Sequence, residues 1–268
     1  MPAAFAGRGS IASVVENMKK AIIAGYLAVM AIALAGACTQ NPEQEYAEPA
    51  PIEETQEEDA KADESFLTDE LINDIDSGYL VLVNKSNEID KSKMPDDLVG
   101  IKYYAADRSA EGRRMRAAAA DAFHRLAEEA KKRDMTIVIT TAYRSYEFQS
   151  RLYNYYVAAD GQEEADKYSA QPGKSEHQTG LAADISSPSV NYKLTLDFAE
   201  SEEGKWLAEN AHLFGFIIRY PEGKEELTGY RYEPWHIRYV GLPAAEYMHE
   251  HNCTLEEYLQ ILNEKMEE

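Results

Sequence analysis

Cysteine is almost absent from this chain. Cys38 and Cys253 are the two among 268 residues, so the fold has to stand without a framework of disulfides. Positive charge is scarce as well: 27 Lys and Arg stand against 48 Asp and Glu, a net charge of −21. With that balance and no basic patch, nucleic-acid binding is not expected. Long apolar runs are few. Ala21 to Ala37 is uncharged for seventeen residues, short of the roughly 20 that a membrane span needs. Internal repeats and a second globular domain are also lacking.

The run from Ala21 suits the apolar core of an export signal, with Lys19-Lys20 before it and small residues after it. Ala35-Gly36-Ala37-Cys38 has the form of a bacterial lipoprotein processing box, although Leu34 stands four residues before the cysteine instead of the usual three. Residues 1–38 are therefore read as a signal with Cys38 as the lipidation site, a retained N-terminal anchor and simple secretion being the alternatives. Met18-Lys19-Lys20 would open an ordinary signal, which makes Met18 the expected true start. All three readings put the bulk of the chain outside the cytoplasm, and the favoured one tethers it to the bacterial membrane. Cys253 is then a structural thiol, and its neighbours His249 and His251 make only a weak metal candidate.

Residues 39–78 hold fourteen Asp or Glu against a single Lys61, which is −13 of the total charge. Such a stretch is expected to be a disordered, self-repelling tether, here bounded as residues 39–77. The globular domain is expected over 78–268. Tyr79–Lys85 reads as an opening strand, and Glu111–Arg133 as a helix with Met115, Ala119, Ala122, Phe123, Leu126 and Ala130 on one face. Met135–Thr141, Leu181–Ile185, Phe214–Tyr220 and His236–Val240 read as strands. Helices are expected over Tyr146–Ala158, Gln162–Ser169 and Ser201–Ala211, and in a last helix opened by the capping box of Thr254 and Glu257. Short runs that alternate only loosely predict an α+β domain, a mainly antiparallel sheet flanked by helices.

Asp184 lies in Leu181-Ala182-Ala183-Asp184-Ile185, a run that otherwise reads as buried strand. A buried carboxylate needs a cation or several donors. His177 stands seven residues earlier across Gly180, which permits a tight turn. His236 alone would more often be a packed core histidine, but Glu233 lies three residues before it. On a regular strand that odd spacing would put the two side chains on opposite faces, so a turn or bulge at Pro234-Trp235 is required. Two imidazoles and one carboxylate would leave zinc one open position for water, with Glu233 free to carry the proton. Arg144 follows a strand end and would supply a positive donor for a tetrahedral oxyanion.

The strings SEHQTGLAADIS (175–186), YRSYEFQ (143–149) and FGFIIRYPEGKEELTGYRYEPWHIRYVG (214–241) resemble the VanY-type D-alanyl-D-alanine carboxypeptidases over roughly residues 79–248. The resemblance implies zinc held by His177, Asp184 and His236, with Glu233 as general base and acid and Arg144 steadying the oxyanion. It implies that Gln149 and Ser175 line the substrate cleft. The substrate class implied is the terminal D-alanine of peptidoglycan stem peptides, in pentapeptides or tetrapeptides, and a monomer is expected. The alternatives are a dipeptidase or wall endopeptidase of the same fold, or a non-catalytic wall-binding module that contains zinc.

Overall fold

An acidic helix, α1 (Asp69–Asp76), precedes Gly78 and buries Leu71 completely. The computed structural model describes residues 69–105 and 109–267, so the readings made for the signal, for Cys38 and for most of the tether lie outside the described residues. Thr68–Leu259 forms one compact unit. Of the other, Met1–Leu67 with Gln260–Glu268, the described part is the end of the C-terminal helix.

After α1 the chain runs through turn and coil over Tyr79–Lys85, where a strand was expected. The apolar side chains Leu80 and Val83 are buried, yet the carbonyls of Tyr79 and Val81 accept hydrogen bonds from the Arg238 guanidinium at 2.9 and 2.7 Å. With those acceptors taken by a side chain, a sheet ladder does not form there. Strand β1 (Leu98–Gly100) then pairs antiparallel with β2 (Arg114–Arg116). This pairing displaces the first turns of the expected helix, so α2 covers Ala117–Lys131 after a 3-10 turn at Glu111–Arg113.

Helix α2 turns Ala119, Ala122, Phe123, Leu126 and Ala130 into the core with no exposed surface. Removing a side chain such as Phe123 from water is worth about 1.5–3 kcal/mol. The main sheet lies against it, in the order β3 (Val138–Thr141), β4 (Ala182–Ser186), β6 (His236–Tyr239), β5 (Phe216–Ile218), antiparallel throughout. Between β3 and β4 come helices α3 (Tyr146–Asp160) and α4 (Gln162–Tyr168). Helices α5 (Asp197–Glu200) and α6 (Glu202–Asn210) follow β4, and α7 (Glu225–Thr228) lies between β5 and β6. The chain closes with α8 (Leu242–Glu250) and α9 (Leu255–Glu267). The capping box of α9 is formed: Thr254 N donates to Glu257 at 2.8 Å, and Glu257 N donates to the Thr254 hydroxyl at 3.2 Å. The architecture is α+β, as the pattern of short elements predicts. No described helix is long and apolar enough to cross a membrane.

Candidate metal centre and active-site cleft

Strand alternation decides where Asp184 points. Ala183 and Ile185 belong to the core cluster, so Asp184 emerges on the other face of the sheet. Register then brings it opposite His236 on β6, and paired residues share a face. His236 Nδ1 sits 3.0 Å from Asp184 Oδ1. His177 arrives from a 3-10 turn, Glu176–Thr179, which ends on Gly180 in the left-handed region at φ 69°. A side chain at that glycine would also collide with Leu98 Cδ2 at 2.8 Å. The His177 ring is fixed through Nδ1, 2.6 Å from the carbonyl of Ala142 at the end of β3. This leaves Nε2 facing Asp184 Oδ2 at 3.4 Å. One donor atom from each of the three side chains lies within 4.8 Å of the other two, and among the described residues this is the group that could hold a metal ion.

The late histidines go elsewhere. His249 stacks on His212 with ring centroids 3.6 Å apart, and His251 stacks on Tyr247 at 3.9 Å. Cys253 is a free thiol whose pKa is raised by burial.

The turn required at Pro234-Trp235 is present, closed by His236 N donating to the Glu233 carbonyl at 3.1 Å. It brings Glu233 Oε2 to 3.9 Å from His236 Nδ1. Burial pushes the Glu233 carboxyl up to about 7, against the pull of His236. Burial lowers His177 to about 4, and Arg144 adds to the effect, so this ring is neutral near pH 7. For His236 burial works in the same direction, but the Asp184 and Glu176 carboxylates on either side of the ring overcome it and raise it to about 9. Asp184 stays well below the usual carboxylate range although burial opposes this, because both imidazoles attract it.

Arg144 is reached from the strand end at Thr141. Its Nη2 points to Asp184 Oδ2 at 3.4 Å, its Nη1 donates to Gln149 Oε1 at 3.0 Å, and its Nε is buried without a partner. Gln149 is fully buried and donates to the Ala170 carbonyl at 2.6 Å, so it meets the cleft only through Arg144. Ser175, by contrast, lines the cleft itself. The cleft is a cavity of about 550 Å³, walled by Arg144, Glu233, Tyr156, Tyr220 and Trp235 as well as the metal-capable triad. That volume lies in the range of sites for small ligands and short peptides.

Sequence reasoning passed over Glu176, Arg219 and Arg238. All three are buried, and both arginines have no exposed surface. Arg219 Nε and Arg238 Nη1 each donate to Glu176 Oε1 at 2.7 Å. Arg219 also grips Glu256 of α9 with two bonds, at 2.9 and 2.6 Å. The arginines hold Glu176 ionised even though burial favours its neutral form. The signal was available: each arginine interrupts an apolar β-run, in Phe-Ile-Ile-Arg-Tyr and His-Ile-Arg-Tyr-Val.

A model of the VanY family, described as D-alanyl-D-alanine carboxypeptidase, matches residues 112–242. A D-alanyl-D-alanine carboxypeptidase of Enterococcus faecium is 34% identical over 232 residues, which cover 84% of this chain and 69% of that protein. Among solved structures, the LdcB LD-carboxypeptidase is 42% identical, with a TM-score of 0.66 over 68% of this chain and 86% of its own. A variant of the vancomycin-resistance D,D-pentapeptidase VanY, in complex with Zn(II), is 33% identical, with a TM-score of 0.54 over 68% and 98% of the two chains. Matches of this identity and coverage, on a chain whose sheet and preceding 3-10 turn bring His177, Asp184 and His236 to one point, establish that it belongs to the VanY D-alanyl-D-alanine carboxypeptidase family.

Proposed function

We propose that this protein is a zinc-dependent carboxypeptidase that removes a terminal D-alanine from peptidoglycan stem peptides. The observation that carries the reading is the convergence of the His177, Asp184 and His236 donors beside a half-buried Glu233. Two nitrogens and one carboxylate oxygen suit zinc, and three protein donors are the number a catalytic site uses when one position stays open. His177 would hold the ion through Nε2, since its Nδ1 is committed to Ala142. Bound zinc supplies a Lewis acid and lowers the pKa of water to about 7.

The chain's own groups do the rest. Glu233, poised near 7, takes a proton on its carboxylate from the attacking water and returns it to the leaving amine of D-alanine. Arg144, whose guanidinium lines the cleft, offers its positive charge to the oxyanion that develops on the scissile carbonyl. Gln149 keeps that guanidinium in place. Ser175 and the tyrosine wall confine the peptide next to the scissile bond.

Of the two specificities within the family, the stronger likeness to the LD-carboxypeptidase favours cleavage after an L-centre, as in tetrapeptide stems. A peptidoglycan substrate lies outside the cytoplasm. The basic leader, the apolar run and Cys38 would carry the domain there on a lipid anchor, the acidic tether giving it reach. The deciding experiment digests defined tetrapeptide and pentapeptide stems and weighs the products. Loss of one alanine from the tetrapeptide, abolished by a chelator and restored by zinc, is expected. Turnover of either stem by metal-free protein in the chelator would overturn the zinc mechanism, and turnover of the pentapeptide alone would overturn the L,D assignment.

A further inference from the structure

Glu176 divides its two oxygens unequally. Oε1 accepts from both Arg219 Nε and Arg238 Nη1 at 2.7 Å, while Oε2 is buried with no hydrogen-bond partner. On the other side of that gap is His236 Nε2, 3.5 Å away and equally buried and unsatisfied. An orphaned buried acceptor and an orphaned buried donor, aimed at each other, are costly to maintain apart.

The rest of the network forbids Glu176 from turning away. Arg219 is anchored at its far end by Glu256. Arg238 is anchored by the carbonyls of Tyr79 and Val81 through Nη2, and by that of Tyr239 through Nε. Rotation of the carboxylate would break two fully buried ion pairs at once. The opposite ring nitrogen of His236, Nδ1, faces Asp184 Oδ1 and Glu233, toward the cleft.

We propose that Glu176 is a positioning residue for the metal. It accepts the Nε2 proton of His236, which fixes the ring as the Nε2–H tautomer and reserves Nδ1 for the ion, and the Arg219–Arg238 pair holds it there. The inference rests on the zinc reading given above and deepens it. Partners of this kind, one step behind a ligand, typically change metal affinity by about 10- to 100-fold when removed.

The test measures zinc affinity by competition with a chromophoric chelator in wild-type, Glu176→Gln and Glu176→Ala proteins. It also records the paramagnetically shifted, exchangeable ring N–H resonances of the cobalt(II)-loaded wild type. The expected result is a slowly exchanging Nε2–H on His236 and a 10- to 100-fold loss of affinity in Glu176→Ala. Glu176→Gln, whose amide oxygen can still accept, should lose less. Equal affinity in the folded variants, or metal on His236 Nε2, would overturn the proposal. A purely structural carboxylate predicts that equal affinity together with lower stability of the stripped and loaded proteins alike. If Glu176→Ala does not fold, the wild-type resonance decides by itself. A wild type that takes up neither zinc nor cobalt removes the metal reading first, and this inference with it.

Discussion

On the cleft side of the triad, Glu233 keeps its proton up to about pH 7 and Arg144 keeps a buried Nε without a partner. On the sheet side, Glu176 is ionised and clamped between two arginines that are themselves tied to Glu256 and to three carbonyls. The His236 ring joins the two sides, and burial is complete for Glu176 and its arginines but only partial for Glu233 and Arg144. What differs is where the unused polar capacity faces. On the cleft side it is Arg144 Nε, next to the space a substrate would fill. On the sheet side the arginines are bonded to several partners at once, and the gap that remains, between Glu176 Oε2 and His236 Nε2, faces the metal-capable ring.

Breaking the cleft side should cost turnover and leave the fold intact. Glu233→Gln should lower kcat by about 10²- to 10⁴-fold, with zinc content by atomic absorption unchanged. Wild-type rates in that variant would remove Glu233 from the chemistry. Breaking the opposite side should do the reverse in kind. Arg238→Met leaves Glu176 short of a partner in the interior, and urea unfolding should show a loss of about 3–5 kcal/mol.

Arg144→Ala belongs to the cleft side again and should cost about 10²- to 10³-fold in kcat, with about 1–3 kcal/mol of stability lost through the buried Gln149 oxygen it leaves unpaired. The proton on His236 offers a finer probe of how the two sides meet. In the metal-free protein it is held up to about pH 9. Its contribution to stability is complete below the ring's ordinary value of 6.5 and disappears as pH rises through 9. Zinc competes with that proton. Its affinity should therefore rise about tenfold per pH unit between about 6.5 and 9, and the zinc-dependent gain in Tm should widen accordingly. A gain that shrinks with rising pH would show that His236 does not exchange its proton for metal. Smallest of all, Thr254→Ala removes half the capping box of the helix that carries Glu256. It should cost about 1 kcal/mol in denaturant unfolding with turnover little changed.

The cleft-side residues were legible in the sequence because reactive groups sit in short, unusual strings: a carboxylate inside a buried run, and an acid and a histidine around a proline turn. Their convergence is a consequence of register, and alternation along Leu181–Ile185 already implied which face Asp184 would take. The sheet-side network was not legible as such. Each arginine interrupts an apolar β-run, but that local pattern names no partner, and Glu176 and Glu256 lie on other elements. The same blindness explains the strand expected at Tyr79–Lys85. Its apolar pattern is real, but the acceptors a ladder needs are taken by Arg238, which lies 157 residues from Val81. Periodicity sees side-chain polarity, and it does not see which backbone groups a distant side chain will claim. Likewise the start of α2 was placed too early because an alanine-rich run does not mark where pairing between β1 and β2 ends.

Glu256 opens α9 and is no part of the cleft wall, yet it grips Arg219 with two bonds, and Arg219 in turn grips Glu176. On the proposal that Glu176 backs the ion, a change confined to the first turn of the last helix should be felt at the metal-capable triad without altering any residue that lines the cleft.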